Sequence, residues 1–385
     1  MKYDVSVSKC DEYTYEKCRS SLEEVLSHTE GINKIKRNDK VVIKANLVSA
    51  MKPEKAATVH PVLLCALTDI LVEKGASVVI GDSPGGVFNT VHMNRIYSVT
   101  GVKSAEEHGA VLNRDCTEAK AEYPEAVTAK EFFYTKYLDE ADHIINFCKL
   151  KTHGMMGMSA GIKNMFGVVP GIVKPEYHYK YPKQEDFASM IVDLNEYFKP
   201  CLTICDAVVG MEGNGPTAGS PRHIGAVIAA DSQYKLDTLC AYLIGLGKDD
   251  IPTLAEAYRR GYTVSSPSEL NVYGEYESLV IGDYEKLPVN KSFLFASDSK
   301  TVFGRAVGKA LKKVLEAKPK VKKGDCVGCA ECFRICPAKA ITMKKNKPDI
   351  DRTKCIKCFC CQEFCPKGAM KVKRTLIARI FTRDK

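Results

Sequence analysis

The segment CVGCAECFRICP at 326–337 is followed by CIKCFCCQEFCP at 355–366, so one cysteine pattern occurs twice at an offset of 29 residues. Both copies read C-x2-C-x2-C-x3-C-P. Three thiolates at this spacing can hold three corners of a cubane [4Fe–4S] cluster, and the cysteine before the proline reaches the other cluster. We therefore assign one ligand set to Cys326, Cys329, Cys332 and Cys365, and the other to Cys355, Cys358, Cys361 and Cys336.

A structural zinc site is the alternative interpretation of these cysteines. Zinc is usually held by two separated C-x2-C pairs. Here three cysteines follow one another in each copy, and both copies continue as Pro-x-x-Ala, at 337–340 and 366–369. The pattern favours iron–sulfur, and Cys360, which breaks the spacing, is predicted not to be a ligand. Residues 322–374 closely resemble the bacterial two-cluster ferredoxins, which implies a small α+β domain that transfers electrons.

The remaining sequence is long enough for a separate domain with a large core. Residues 41–50 and 76–82 are predicted strands, and 59–74 between them has helical periodicity, which together make a right-handed βαβ unit. Further strands are predicted at 141–149, 202–209, 224–230 and 278–283. The fold class is therefore α/β, with a mostly parallel sheet. The predicted division is 1–290 for this domain, 291–321 for a bridging helix (at 302–317) and linker, 322–374 for the ferredoxin-like domain and 375–385 for a basic amphipathic tail.

Composition and charge limit the compartment and the partners. No stretch of about eighteen apolar residues occurs, which predicts no membrane span. Seventeen cysteines without a secretory signal predict a reducing compartment, the cytoplasm. Residues 316–385 hold 19 Lys and Arg against 7 Asp and Glu. This favours an acidic redox partner over nucleic acid, because no aromatic residues interleave with the lysines. The amphipathic tail leaves a membrane surface as an open alternative.

The stretch 151–180 has the composition of a binding site. Five glycines within eighteen residues allow the backbone to approach a ligand closely. Lys151, His153 and Lys163 are among the polar groups between them, and such a set can hold a carboxylate or phosphate and shuttle a proton. A solvated surface loop is the alternative, which four methionines in the stretch disfavour. His153 and His178 as metal ligands is a weaker alternative, because no helix fixes their spacing.

A second motif excludes one enzyme class. Residues 81–85, GDSPG, match the nucleophile elbow G-x-S-x-G. The oxyanion hole of such an elbow needs the backbone N–H of the residue after the serine, and Pro84 has none. A glycine-rich turn at the carboxyl end of a strand, where α/β sheets bind ligands, is the better interpretation.

Several segments together resemble the family called domain of unknown function 362, whose members often carry a two-cluster ferredoxin segment. They are VVIKANLV (41–48), GDS (81–83), KTH (151–153), GIKNMFG (161–167), His178, DAVVGMEGNGP (206–216) and AGSPR (218–222). The resemblance covers roughly residues 1–290 and implies an α/β fold and a redox setting, but no settled reaction. By matching position it implies a site made of Lys44, Asn46, Asp82, Lys151, His153, Lys163, Asn164, Glu212, Asn214 and Arg222.

We predict an iron–sulfur oxidoreductase that passes electrons between two [4Fe–4S] clusters and a small anionic substrate or cofactor in the α/β domain. Lys151, Lys163 and Arg222 are expected to hold the anion, and His153 to carry the proton. The other six matched residues are expected to contact the substrate. Two alternatives are a non-enzymatic electron carrier that docks on a partner, and a metal or cofactor maturation factor.

Overall fold

The computed structural model describes residues 3–287 and 317–373. The helix expected at 302–317, apart from its last residue, and the tail expected at 375–385 lie outside the described residues. The larger range contains the predicted α/β domain, and the smaller range contains the repeated cysteine pattern.

A nine-stranded sheet lies at the centre of the larger range. In chain order the strands of the larger range are β1 (Val5–Lys9), β2 (Lys40–Lys44), β3 (Ser77–Gly81), β4 (Ala110–Leu112), β5 (Glu118–Glu122), β6 (Glu131–Thr135), β7 (His143–His153), β8 (Gly157–Ser159), β9 (Leu202–Glu212), β10 (Ser220–Ala230) and β11 (Val272–Tyr273). The strand order in the sheet is β11-β1-β10-β9-β7-β2-β3-β4, with β8 paired to β7. β5 and β6 form a separate antiparallel hairpin.

The sheet is mostly parallel, as predicted. β4, β3, β2, β7 and β9 run in the same direction, whereas β10 is antiparallel to both β9 and β1. Because β2, β3 and β7 are parallel neighbours, their carboxyl ends meet at one edge of the sheet. In open α/β sheets that edge is where ligands bind.

Helices cover both faces of this sheet. They are α1 (Tyr15–Ser27), α2 (Gly31–Lys34), α3 (Pro61–Glu73), α4 (Thr90–Val99), α5 (Gly161–Asn164), α6 (Lys174–Lys180), α7 (Gln184–Phe198), α8 (Gln233–Leu243) and α9 (Pro252–Arg259). Leu22 of α1 and Leu63 of α3 pack with Ile43 in one apolar core. Phe187 of α7 and Leu239 of α8 belong to a second core on the opposite face. Burial on two sides explains why the central strands are almost wholly apolar.

One predicted strand is wrong. Residues 278–283 were expected to add a late strand, but Glu277–Leu279 forms a 3-10 turn and the following residues are irregular. The backbone N–H of Ile281 donates to the carbonyl of Leu243 at the end of α8, at 2.8 Å. The segment therefore packs on a helix end, and the two-residue β11 lies at the edge of the sheet instead.

Residues 317–373 form a small α+β region built from one unit used twice. The first copy contains β12 (Lys318–Val321), α10 (Glu331–Arg334) and β13 (Ile341–Lys344), and the second contains β14 (Lys347–Ile350), α11 (Cys360–Glu363) and β15 (Met370–Lys373). β12 pairs with β15 and β13 pairs with β14. Each of the two small sheets therefore takes one strand from each copy, so neither copy is complete alone.

Candidate functional site

The eight cysteines of the repeated pattern lie in two groups of four, each around its own cavity. A cavity of about 350 Å³ is lined by Cys326, Cys329, Cys332 and Cys365. The other, of about 330 Å³, is lined by Cys336, Cys355, Cys358 and Cys361. Four thiols around one cavity are the donor set of a [4Fe–4S] cluster, so the residues present fit that group. Cys360 also lines the second cavity.

The last residue of the Pro-x-x-Ala continuation donates a backbone hydrogen bond to the cysteine before the proline in each copy. The Sγ of Cys336 accepts a hydrogen bond from the backbone N–H of Ala340 at 3.3 Å, and the Sγ of Cys365 accepts one from Ala369 at 3.2 Å. Such a donor fixes the orientation of the sulfur it contacts. The cysteine that crosses to the other group is held in the same way in both copies.

A third cavity, of about 460 Å³, lies at the carboxyl ends of β2, β3 and β7. Its charged and titratable lining combines four lysines and a histidine with only two carboxylates. These residues are Lys44, Lys151, Lys163, Lys174, His153, Asp82 and Glu363. The lysines, the histidine and Asp82 are all buried. We call this space the lysine cavity.

The Lys44 and Asp82 side chains form the fixed part of the lysine cavity. The Nζ of Lys44 lies 2.7 Å from Oδ1 of Asp82, and Oδ2 of Asp82 accepts from the backbone N–H of Leu47 at 2.8 Å. Oδ1 of Asn164 accepts from both Lys44 Nζ (3.1 Å) and Asn46 Nδ2 (3.0 Å). Burial lowers the pKa of Lys44, and the nearby Asp82 carboxylate opposes that effect. These four residues therefore hold one another in position.

Two further lysines contact only neutral oxygens within the described residues. Lys151 Nζ donates to Oδ1 of Asn46 and to the carbonyl of Ala57, both at 2.6 Å. Lys174 Nζ donates to the carbonyls of Val169 (2.7 Å) and Ser83. Burial lowers the pKa of Lys151 and of Lys174 to about 7. Both ammonium groups thus lie in a place where a negative charge would be favourable.

Lys163 and His153 are the groups with the fewest partners. In the part of the chain that the structure describes, the ammonium of Lys163 has no hydrogen-bond acceptor and lies 4.7 Å from the centre of the Phe166 ring. Burial lowers the pKa of Lys163. His153 Nδ1 accepts from the backbone N–H groups of Met155 (3.1 Å) and Met156 (3.2 Å).

These contacts decide the protonation of His153. Because Nδ1 is an acceptor, a neutral imidazole carries its proton on Nε2. Burial, followed by the charge of Lys163, lowers the pKa of His153 well below its usual range, so the neutral form prevails. Nε2 is buried without a hydrogen-bond partner in the described residues and lies 3.9 Å from Oε2 of Glu363. It is an N–H donor available to a ligand.

The short helix α5, which carries Lys163 and Asn164, is anchored from a distance. The carboxylate of Asp237 accepts from the backbone N–H groups of Gly161 (2.6 Å) and Ile162 (3.1 Å) at the start of this helix. Asp237 lies on α8, far away in sequence, and no sequence motif indicated this contact. Burial raises the pKa of Asp237 well above its usual range, and the two N–H donors oppose that rise.

The expected glycine requirement is real at Gly167. A Cβ atom on this residue would lie 2.2 Å from Nζ of Lys44 and 2.4 Å from Oδ1 of Asp82. No side chain can be accommodated there without moving the ion pair. The glycine-rich stretch thus lets the backbone pass directly over the charged groups of the lysine cavity.

The structure places seven of the ten matched residues in the lining of the lysine cavity and three outside it. Arg222 pairs with Asp283 and lies 3.8 Å from Glu212, whose Oε2 accepts from the backbone N–H of Glu285 at 3.0 Å. Asn214 donates to the carbonyl of Met370 at 3.3 Å and accepts from Val372 at 3.2 Å. None of these three lines the cavity. Their polar groups are engaged by Asp283, by the backbone of Glu285, by each other or by the small region.

The small region also closes the lysine cavity. Glu363 of α11 forms part of the wall. Gln362, the residue before it, donates from Nε2 to the carbonyls of Asn214 and Gly215, both at 2.9 Å. Thr217 Oγ1 donates to the carbonyl of Glu363 at 2.8 Å. The helix that carries Cys361 is therefore itself a wall of the cavity, and no sequence motif indicated this role for Glu363.

The fold and the paired cysteine groups define an iron–sulfur protein, and comparison with known families agrees. The model of the 4Fe-4S dicluster domain matches residues 318–366, and the model of the domain of unknown function DUF362 matches residues 41–242. The chain belongs to the DUF362 family.

One curated relative and two solved structures are similar to the chain. A thylakoid-associated protein of Synechocystis sp. is 29% identical over 295 residues, which cover 75% of this chain and 88% of that protein. The lactate racemase apoprotein of Thermoanaerobacterium thermosaccharolyticum is 11% identical, with a TM-score of 0.41, over 64% of this chain and 58% of that one. A Thermotoga maritima protein is 14% identical, with a TM-score of 0.35, over 56% and 55%. The chain thus spans a little over half the length of either solved structure.

In the ranges that the structure describes, no helix combines the length and the apolar character needed to cross a bilayer.

Proposed function

We propose that the protein is an iron–sulfur oxidoreductase that binds a small anion in the lysine cavity and exchanges electrons with it. One observation carries this proposal. Four buried lysines and a histidine N–H surround a single cavity that contains only two carboxylates, and a wall of that cavity is the helix of a cluster-ligand cysteine.

Two clusters would be held by the two groups of four cysteines described above. A bound [4Fe–4S] cluster supplies single electrons, at a potential that the surrounding protein sets. The chain's own contribution is to bind and orient the anion next to α11 and to exclude water. The small region would therefore supply the electrons, and the lysine cavity would bind the anion that receives them.

Electrostatics favour an anion as the occupant. A buried ammonium without an opposite charge is destabilising, and a negative ligand inside a cavity of low dielectric constant compensates several ammonium groups at once. Lys151, Lys163 and Lys174 are the groups most in need of such compensation, since none of them pairs with a carboxylate in the described residues. A carboxylate or phosphate also accepts hydrogen bonds from ammonium groups and from an imidazole N–H.

His153 is placed to donate a hydrogen bond to an anion that gains negative charge on reduction. Its Nε2–H lies at the cavity, and its Nδ1 is fixed by two backbone donors. The ring therefore cannot turn without losing both hydrogen bonds. A neutral imidazole held in this way can donate a hydrogen bond from Nε2 to an anion oxygen as negative charge develops there.

Reoxidation of the clusters tests the proposal. Protein purified without oxygen is reduced with dithionite, freed of excess reductant and mixed with reducible anions such as nitrite, sulfite, fumarate, pyruvate or other 2-oxo acids, while visible absorbance reports the clusters. We expect one class of anion to reoxidise the protein. Lys163→Ala and His153→Ala should slow that reaction by about 10²-fold or more with clusters intact. Lys183→Ala, at an exposed lysine before α7, is the matched control.

Two results would contradict this function. Full reoxidation rates in both cavity variants would remove the lysine cavity from the reaction. Clusters that respond to no small anion, but do respond to protein acceptors, would identify an electron carrier instead.

A further inference from the structure

The two copies in the small region correspond residue by residue at an offset of 29 positions. β12 corresponds to β14, α10 to α11 and β13 to β15. The residue before each helix, Ala330 or Phe359, has the same backbone angles, φ 62° and ψ 9°. The hydrogen bonds to Cys336 and Cys365 also repeat. Residues 29 apart therefore occupy equivalent places on the two halves.

In the second copy, the outer face of the helix is fully used by the larger region. Gln362 is buried, and its amide donates to two carbonyls there. The carbonyl of Glu363 accepts from Thr217. Phe359 is buried, and the Cα of Gly154 approaches its ring so closely that a Cβ would lie 3.5 Å from it. This face is a docking surface with its partner in place.

In the first copy, the equivalent face is open among the described residues. Phe333 takes the place of Gln362 and is 49% exposed, and Val327 is 63% exposed. Arg334 takes the place of Glu363, and its side chain is 58% exposed. Nη2 of Arg334 donates to the carbonyl of Cys329, a ligand cysteine that is itself exposed, at 2.8 Å.

We propose that this open face, made of Val327, Phe333 and Arg334 around Cys329, is the docking surface for an acidic one-electron carrier protein. The inference rests on the proposed function, in that the clusters must carry electrons. In each encounter the carrier loses one electron and the small region gains one, and no bond or proton changes place.

Charge and polarity identify the kind of partner. Residues 317–373 contain 15 Lys and Arg against 5 Asp and Glu, so the region attracts an acidic protein. Two exposed apolar side chains beside the exposed pair of Arg334 and Glu331 have the composition of a transient docking site. A docking surface at this place also fits the path of electrons in the proposed function. Electrons would enter at the open half of the small region and leave at the half that forms a wall of the lysine cavity.

The test uses a purified plant-type [2Fe–2S] ferredoxin, a small acidic one-electron carrier, as the probe. Its dissociation constant for the full-length, cluster-loaded protein is measured by calorimetry with both proteins oxidised. The rate of electron transfer is then measured by anaerobic stopped flow. We expect Phe333→Ala to weaken binding about fivefold and Arg334→Glu about tenfold, with the affinity falling as salt rises.

The matched control is Lys9→Glu. This lysine has the same side-chain exposure as Arg334, 58%, and is likewise paired with a glutamate, but it lies on β1. Its reversal should change the dissociation constant less than twofold. Iron content and reduction by dithionite verify the clusters in each variant. Phe333→Ala alters no charge and keeps the backbone carbonyl that accepts from the N–H of Cys336, so its result decides the matter even if Arg334→Glu loses a cluster.

Three outcomes would overturn the docking surface. Wild-type affinity in Phe333→Ala would show that the face is not used. An equal loss in Lys9→Glu would show only nonspecific attraction. A concentration-dependent dimer that Phe333→Ala abolishes would show that a second copy of this chain covers the face. Failure of dithionite to reduce the wild-type clusters would instead defeat the proposed function, so the two failures are distinguishable.

Discussion

Two fully buried lysines, two residues apart on β7, have opposite surroundings. Lys149 lies 2.8 Å from Oδ2 of Asp206 and 2.8 Å from the hydroxyl of Tyr13, which itself donates to Oδ1 of Asp206 at 2.8 Å. Lys151 contacts only an amide oxygen and a carbonyl. Around Lys149 every charge has a counter-charge and no ligand is needed. Around Lys151, the positive charge exceeds the negative.

The difference separates a structural ion pair from a binding site. A closed network such as Lys149, Asp206 and Tyr13 holds strands β7 and β9 to the segment before α1. An excess of buried charge is destabilising, and a protein keeps it where a ligand supplies the missing charge. Substitutions in the two places should therefore have opposite consequences for stability and for ligand binding.

The largest effect is expected from Asp206→Ala. This change leaves the Lys149 ammonium buried without a counter-charge, and it also removes the acceptor of the Tyr13 hydroxyl and of the His60 backbone N–H. We expect a loss of about 3–5 kcal/mol in the free energy of unfolding. Urea denaturation under anaerobic conditions, followed by circular dichroism, measures it. Asp283→Ala removes an exposed carboxylate that pairs with Arg222 and should cost less than about 1 kcal/mol. Equal losses in both variants would show that burial does not distinguish the two pairs.

Gly167→Ala is expected to have the second-largest effect, because it introduces a steric clash in the lysine cavity. The added methyl group would collide with the Lys44–Asp82 pair. We expect a stability loss of about 1–3 kcal/mol and a weakening of sulfate binding by more than about tenfold, measured by calorimetry. Gly282→Ala is the control, since a Cβ there meets no atom within 4 Å. Unchanged sulfate affinity in Gly167→Ala would mean that the ion pair does not shape the binding site.

Whether the sequence alone predicts a feature of the fold or the site depends on how far apart in the chain the interacting residues lie. The cysteine groups follow from local spacing, and the βαβ unit placed Lys44 and Asp82 at one sheet edge. Asp237 and Glu363 escaped prediction, because each acts through a contact between segments far apart in the chain. Their sequence surroundings, a helix interior and a cysteine motif, gave no sign of these roles.

The position of Arg222 outside the lysine cavity has a related cause. Arg222 was assigned to the site on the resemblance alone. It lies on β10, opposite Gly210 of β9, and β10 runs antiparallel to the strands whose ends form the cavity. Strand direction depends on how the sheet assembles, which the apolar pattern of β10 does not reveal. For the same reason the apolar segment at 278–283 could not be distinguished from a strand.

Lys163→Met tests the same comparison, between buried lysines with and without a carboxylate partner, at a residue of the lysine cavity. Because Lys163 has no carboxylate partner in the described residues, removing its charge should leave stability unchanged or raise it by up to about 1 kcal/mol, while sulfate binding weakens about tenfold. Lys149→Met is the matched variant, and it should destabilise the protein, since Asp206 then stays buried without its ammonium. The comparison of the two lysines would collapse if both variants lost the same stability in urea.

The smallest effect is a pH dependence, and its sign is set by the lowered pKa values of Lys151 and Lys174, both about 7. As pH rises from 6 to 8 these groups lose protons, so sulfate, which stays a dianion, should bind up to about tenfold more weakly. Stability should change in the opposite direction. In the unfolded chain both lysines have pKa values of about 10.4. Between pH 7 and 10 the unfolded state therefore binds more protons than the folded state, so the free energy of unfolding increases as pH rises. Lys151→Met should remove part of both slopes. Sulfate affinity that stays constant or increases across this range would show that the lysines of the cavity do not hold the anion through their charge.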